Sequence, residues 1–126
     1  MLKTVLIVDD ELTLLDSAAQ ALSLKGYAVM KADNGKDAVK IATENLPDII
    51  LLDVVLPDIS GGEVARALQK NYTTKNIPVI FLTGLLTKKD AHTVIGNNAF
   101  ISKPYSLSEV IMEIEHQLAK RDGNKT

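Results

Sequence analysis

The chain contains no cysteine, which excludes a disulfide framework and any zinc or redox site built on thiolates. Histidine is nearly absent, and His92 and His116 lie far apart, outside any metal-ligand spacing. No apolar run is long enough to cross a bilayer. The opening Met1-Leu2-Lys3 leads straight into a strand pattern, without the basic, apolar and cleavage segments of a signal peptide. A cytoplasmic location is expected. Charge of either sign is not in excess: a formal net charge of −2 gives no general electrostatic drive toward nucleic acid or anionic lipid. No repeat, low-complexity tract or interdomain linker interrupts the 126 residues, a length suited to one domain with a real core.

What the sequence does have is a regular alternation of strand-like and helix-like periods. Residues 4–8 form a continuous apolar run, as expected of a strand buried on both faces. Leu15, Ala18, Ala19 and Leu22 then recur at helical spacing, and Gly26 closes that helix. Residues 27–32 read as a second strand and Asn34-Gly35 as a turn. Ala38, Ile41 and Ala42 mark a second helix that stops before Pro47. Residues 48–53 (DIILLD) are the most strand-like segment. Ser60-Gly61-Gly62-Glu63 matches a capping box and opens a third helix carrying Val64 and Leu68. Residues 78–83 (PVIFLT) give the fourth strand, and Thr87 to Asp90 can cap a short fourth helix with Ala91, Val94 and Ile95. After an Asn97-Asn98 turn, residues 99–102 form the fifth strand. A second capping box, Ser106 to Glu109, opens a fifth helix with the stripe Leu107, Val110, Ile111, Ile114 and Leu118. Short strands alternating with helices imply right-handed crossovers and a mostly parallel sheet covered on both faces. Residues 1–120 are expected to form the domain and 121–126 a frayed polar tail.

Four strands end on chemically active residues: Asp9-Asp10, Asp53, Thr83 and Lys103. Strand ends of one polarity gather along one edge of a parallel sheet, where ligands bind. Each residue also has a plainer reading. Asp9-Asp10 could cap the following helix, Thr83 could be an ordinary strand residue and Lys103 a surface lysine. Asp53 fits a cap poorly, because two valines follow it. Together they place three carboxylates, a hydroxyl and an ammonium on one edge. Carboxylates so packed repel one another unless compensated, and Mg²⁺ suits them as a hard cation. One carboxylate could then attack phosphorus to form an aspartyl phosphate, with metal and lysine neutralising the transferring group.

Asp9-Asp10, Asp53 followed by Leu56-Pro57, Thr83-Gly84 and Lys103-Pro104, in that order, closely resemble the receiver domain of two-component response regulators, including the chemotaxis-regulator type. The resemblance covers the chain from Lys3 to about Ala119. It implies an α/β, flavodoxin-like, doubly wound five-stranded parallel sheet of order 2-1-3-4-5 with five helices. It implies Asp53 as phosphoacceptor, with Mg²⁺ held by Asp10, Asp53 and the Val55 carbonyl and with Asp9 acting mainly through water. Thr83 would close on the phosphoryl group, Lys103 would pair with it, and Phe100 would fill the space that Thr83 vacates. The outer surface of the fourth helix, fifth strand and fifth helix would then be read by a partner. The implied partners are a sensor histidine kinase or histidine phosphotransfer protein and a downstream protein target. No direct nucleic-acid or membrane binding is implied, and a phosphorylation-dependent dimer is compatible.

The sequence departs from the family pattern in three ways. Phe100 lacks the hydroxyl that many relatives carry there. Val55 and Leu85 are apolar where some relatives position a hydrolytic water, so loss of phosphate is expected to be slow. The path from Thr83 to Lys103 is about two residues shorter than the family's usual spacing, which weakens the expectation of a dimer across the fourth helix. Such a domain catalyses only its own phosphorylation and dephosphorylation. The alternative is a small Mg-dependent phosphatase or phosphotransferase on the same fold. It needs a second general acid beside the nucleophile, and Val54, Val55 and Leu56 supply none. A flavin carrier is disfavoured because Asp9-Asp10-Glu11 would repel phosphate after the first strand. No DNA-binding module is visible after the fifth helix, a pattern that fits a free-standing regulator acting through protein contacts and equally a piece of a larger protein.

Overall fold

A computed structural model describes residues 2–84, 99–103 and 105–123. Strand β1 (Thr4–Val8) is followed by α1 (Leu12–Leu24), β2 (Ala28–Ala32), α2 (Gly35–Asn45), β3 (Ile49–Asp53), α3 (Gly61–Lys70), β4 (Val79–Thr83), β5 (Ala99–Ser102) and α4 (Leu107–Gly123). All the strands pair in parallel, in the order β2-β1-β3-β4-β5. This is the doubly wound, flavodoxin-like arrangement expected from the sequence. Four of the five expected helices fall among the described residues. The helix expected around residues 91–95, the Asn97-Asn98 turn, Leu85 and His92 lie outside them.

Successive strand residues point to opposite faces, and the two faces carry separate cores. Val5, Ile7, Ile49, Leu51, Ile80, Leu82 and Ile101 pack against Leu15, Ala19 and Leu22 of α1 and Val110, Ile114 and Leu118 of α4. Leu6, Val8, Ile50, Leu52 and Phe81 point the other way, onto Ala38 and Ala42 of α2 and Val64 and Leu68 of α3. Two covered faces explain the unbroken apolar runs of β1, β3 and β4, where no position is exposed to solvent. Each fully buried aliphatic side chain contributes about 1.5–3 kcal/mol, so the sheet holds its end residues firmly.

The helix starts follow their caps. Ser60 Oγ accepts from the Glu63 amide at 3.1 Å. At α4 the box is reciprocal, with Glu109 N donating to Ser106 Oγ at 3.2 Å and Ser106 N to Glu109 Oε1 at 3.3 Å. Each such cap is worth about 1 kcal/mol. The Asn34-Gly35 pair does not form a free turn as expected; it opens α2. Asn34 is the N-cap, its side-chain oxygen accepting from Asp37 N at 2.8 Å. Turn and cap draw on the same residue types, and here the following helix decides between them.

The edge of the sheet away from the strand C-termini is tied by one aspartate. Asp48 Oδ2 accepts from the Thr4 amide at 2.7 Å, and Arg121 Nη1 donates to the Asp48 carbonyl at 3.1 Å and to Oδ1 at 3.2 Å. Helix α4 accordingly runs through Gly123, so residues 121–123 are helical where a frayed tail was expected.

Candidate functional site

Parallel pairing brings the C-terminal strand ends onto one edge. Asp9 follows β1, Asp53 ends β3, Thr83 ends β4 and Lys103 follows β5. Asp9, Asp53 and Thr83 are buried, whereas Asp10 is exposed. Lys103 Nζ donates to Asp9 Oδ2 at 2.9 Å and to Asp53 Oδ2 at 3.0 Å, bridging sequence separations of 94 and 50 residues. Its own amide donates to the Thr83 carbonyl at 2.7 Å, so the lysine is placed by the β4–β5 pairing. The remaining carboxylate oxygens meet backbone amides. Asp9 Oδ1 accepts from Glu11 N at 2.9 Å and Asp53 Oδ1 from Val55 N at 3.1 Å. The capping alternative for Asp9 is not realised, because Glu11 is the N-cap of α1 and Asp9 is engaged with Lys103.

Burial pushes the Asp53 carboxyl above its ordinary range; Lys103 and the Val55 amide oppose this and the Asp9 charge adds to it. Burial would lower the Lys103 ammonium, but its bonds to Asp9 and Asp53 outweigh that and raise it. The Tyr105 phenol is raised by burial and by the Asp9 charge. Carboxylate oxygens of Asp9, Asp10 and Asp53 lie within 4.8 Å of one another. With these three ionised and Lys103 protonated, the cluster carries two excess negative charges. Oxygen donors and that charge fit a hard dication such as Mg²⁺. The cleft beside them, about 280 Å³, is lined by Asp10, Glu11, Asp53, Val55, Thr83, Gly84 and Lys103. It is several times the roughly 30 Å³ that a water occupies in the liquid, and it contains most of the residues singled out in the sequence.

The segment between Asp53 and α3 is held by residues whose roles the local sequence pattern did not disclose. Gly61 N donates to the Val54 carbonyl at 2.8 Å. A Cβ at Gly61 would collide with the Asp53 carbonyl oxygen and stand 2.9 Å from Val54 Cα, so only glycine permits this approach. Asp58 reaches across to the start of α2, accepting from Gly35 N at 2.7 Å and Lys36 N at 2.9 Å. Desolvation raises its carboxyl, but the amides of Gly35, Lys36 and Ile59 together bring it down to about 2. A Cβ at Gly35 would collide with Ile59 and stand 2.9 Å from Val64 Cγ2. Between these anchors Val55 remains 54% exposed.

Phe100 is 40% exposed on edge strand β5. It pairs with Phe81, two residues before Thr83 on β4. Paired residues of neighbouring strands share a face, and so do residues two apart. Phe100 and Thr83 therefore stand on the same side of the sheet. His116, on α4, lies in a groove with Phe100, Met112 and Glu113, apart from the aspartates.

The sequence matches the response regulator receiver domain family over residues 5–115. It is 38% identical over 120 residues to the phosphate regulon transcriptional regulatory protein PhoB of Pseudomonas aeruginosa, covering 94% of this chain and 52% of that protein. The chain thus spans about half the length of that relative. It is 35% identical to the polar-differentiation response regulator DivK of Brucella anthropi, covering 94% of this chain and 98% of that protein. The fold superposes on a CheY-like response regulator receiver domain protein from Methanospirillum hungatei with a TM-score of 0.87. The identity there is 27%, over 98% of this chain and 99% of that one.

Proposed function

The chain belongs to the response regulator receiver domain family, and from that premise we propose that Asp53 accepts a phosphoryl group from the phosphohistidine of a sensor histidine kinase or histidine phosphotransfer protein. The observation that carries this reading is the Lys103 ammonium bridging buried Asp9 and Asp53 beside exposed Asp10. An Asp53 oxygen attacks phosphorus, the phosphorus–nitrogen bond breaks, and the donor imidazole leaves with the bonding electrons. Asp10, Asp53 and the Val55 carbonyl would hold Mg²⁺, with Asp9 acting through water. Once bound, the ion adds positive charge against the phosphoryl oxygens. Lys103, already at the Asp53 carboxylate, pairs with an oxygen of the incoming group. Thr83 offers its hydroxyl to another, and Phe100, on the same face, moves into the space Thr83 leaves. The changed outer surface binds a downstream protein target in the cytoplasm. Among the described residues no helix is long and apolar enough to cross a membrane.

The test is incubation with acetyl phosphate and Mg²⁺. Labelling that stops at one phosphoryl group per chain supports a switch, whereas sustained turnover on added phosphate esters supports a phosphatase and overturns it. Two variants refine the outcome. Lys103→Ala should still take up some label but lose the accompanying change in amide chemical shifts. A full shift response in that variant would remove Lys103 from the switch. Val55 is an exposed apolar side chain next to the acceptor, poorly suited to orient water, so the aspartyl phosphate should be long-lived. Val55→Asn should shorten its lifetime several-fold. An unchanged decay rate would show that Val55 does not limit hydrolysis.

A further inference from the structure

We propose that Asp58 is a positioning residue for the cation site, holding the loop that presents the Val55 carbonyl; this rests on the reading of that carbonyl as a metal ligand. The loop from Asp53 to Gly61 is fixed at both ends. On one side Val54 is buried and its carbonyl accepts from Gly61 N at 2.8 Å. On the other, both Asp58 oxygens are engaged by the first two amides of α2, at 2.7 and 2.9 Å. Leu56 and Ile59 pack into the core shared with α2 and α3. Only Val55, Leu56 and Pro57 separate the anchors, and proline has a fixed φ. So short a span leaves the Val55 peptide little freedom while Asp58 stays attached.

The start of α2 has a cap of its own besides this clamp. Asn34 is already the N-cap of α2, bonded to Asp37 N at 2.8 Å. Asp58 therefore adds a second side-chain acceptor, a carboxylate reaching across 22 and 23 residues of sequence, to the two amides that Asn34 leaves. What that reach accomplishes is to moor the loop. Mg²⁺ demands near-ideal octahedral geometry and tolerates poorly placed ligands badly. A loop free to move must be ordered when the ion binds, and that ordering is subtracted from affinity. Residues that orient a metal ligand without touching the metal typically change affinity by about 10- to 100-fold when removed.

The experiment is calorimetric titration of the full chain with MgCl₂, for wild type, Asp58→Ala and Asp58→Asn, at low and high KCl. Asp58→Ala should weaken Mg²⁺ binding about tenfold. Asp58→Asn keeps one acceptor oxygen and should lose less. The ratio to wild type should persist at high salt, because a positioning effect is not screened as a distant charge is. Wild-type affinity in both variants, with only the thermal midpoint lowered, would make Asp58 a helix cap and overturn the proposal. So would equal losses in both variants that vanish at high salt, the signature of charge alone. A wild-type protein that binds no Mg²⁺, or an Asp10→Asn variant that binds it normally, would instead overturn the metal assignment on which the proposal stands.

Discussion

Asp53→Asn is expected to take up no label from acetyl phosphate and Mg²⁺ while remaining folded. The amide has the shape of the carboxyl but neither its charge nor its nucleophilic oxygen, so no acyl phosphate can form. The fold should tolerate the exchange. Lys103 keeps its 2.9 Å bond to Asp9, and burial already pushes the Asp53 carboxyl toward its neutral form. A carboxyl whose folded pKa lies above its unfolded one favours folding when protonated, and loses that contribution as pH rises through the folded value. At neutral pH a permanently neutral isostere should leave the thermal midpoint level or raise it. Undiminished labelling would move the acceptor to another carboxylate, Asp10 being the exposed neighbour. A collapsed midpoint would show that the Asp53 charge is a structural necessity of the Lys103 bridge.

Gly61→Ala should have the largest effect on stability of any small substitution near the site. The added methyl meets the Asp53 carbonyl oxygen and Val54 Cα, which are backbone atoms of a buried strand end and cannot swing aside. Overpacking of this kind costs about 3 kcal/mol, corresponding to a fall in thermal midpoint of roughly 10 °C for a domain of this size. Relief by retreat of α3 would also disturb the peptide that carries the acceptor, so labelling of the folded fraction should drop as well. A thermal melt coincident with wild type would mean that α3 can withdraw freely, and that the close approach is not needed.

Elements that follow from local chemistry were readable from the residues alone. Unbroken apolar runs such as DIILLD marked strands covered twice, and the Ser60 and Ser106 boxes marked helix starts that the structure places there. The strand-end residues were readable because parallel topology converts sequence order into one edge. Features that depend on partners distant in the chain were not. Asp58 looks like an ordinary residue after a proline, and its amide partners lie 22 and 23 positions earlier. Arg121 looks like the start of a solvated tail until Asp48, 73 residues away, is brought beside it. A signal for Gly61 was present. Two successive glycines in the first turn of a helix, Gly61-Gly62, are costly for helix formation, which points to a steric demand from outside the helix.

The Arg121–Asp48 contact also decides where the domain can be cut or grafted. A fragment ended at residue 120 would shed what looks like surplus, yet it would strip the guanidinium from the carboxylate that also holds the Thr4 amide. The first and third strands would then lose a shared moorage at their starts, and the third strand is the one that ends in Asp53. Fusions, tags and truncations belong beyond Gly123, where the helix has completed its grip.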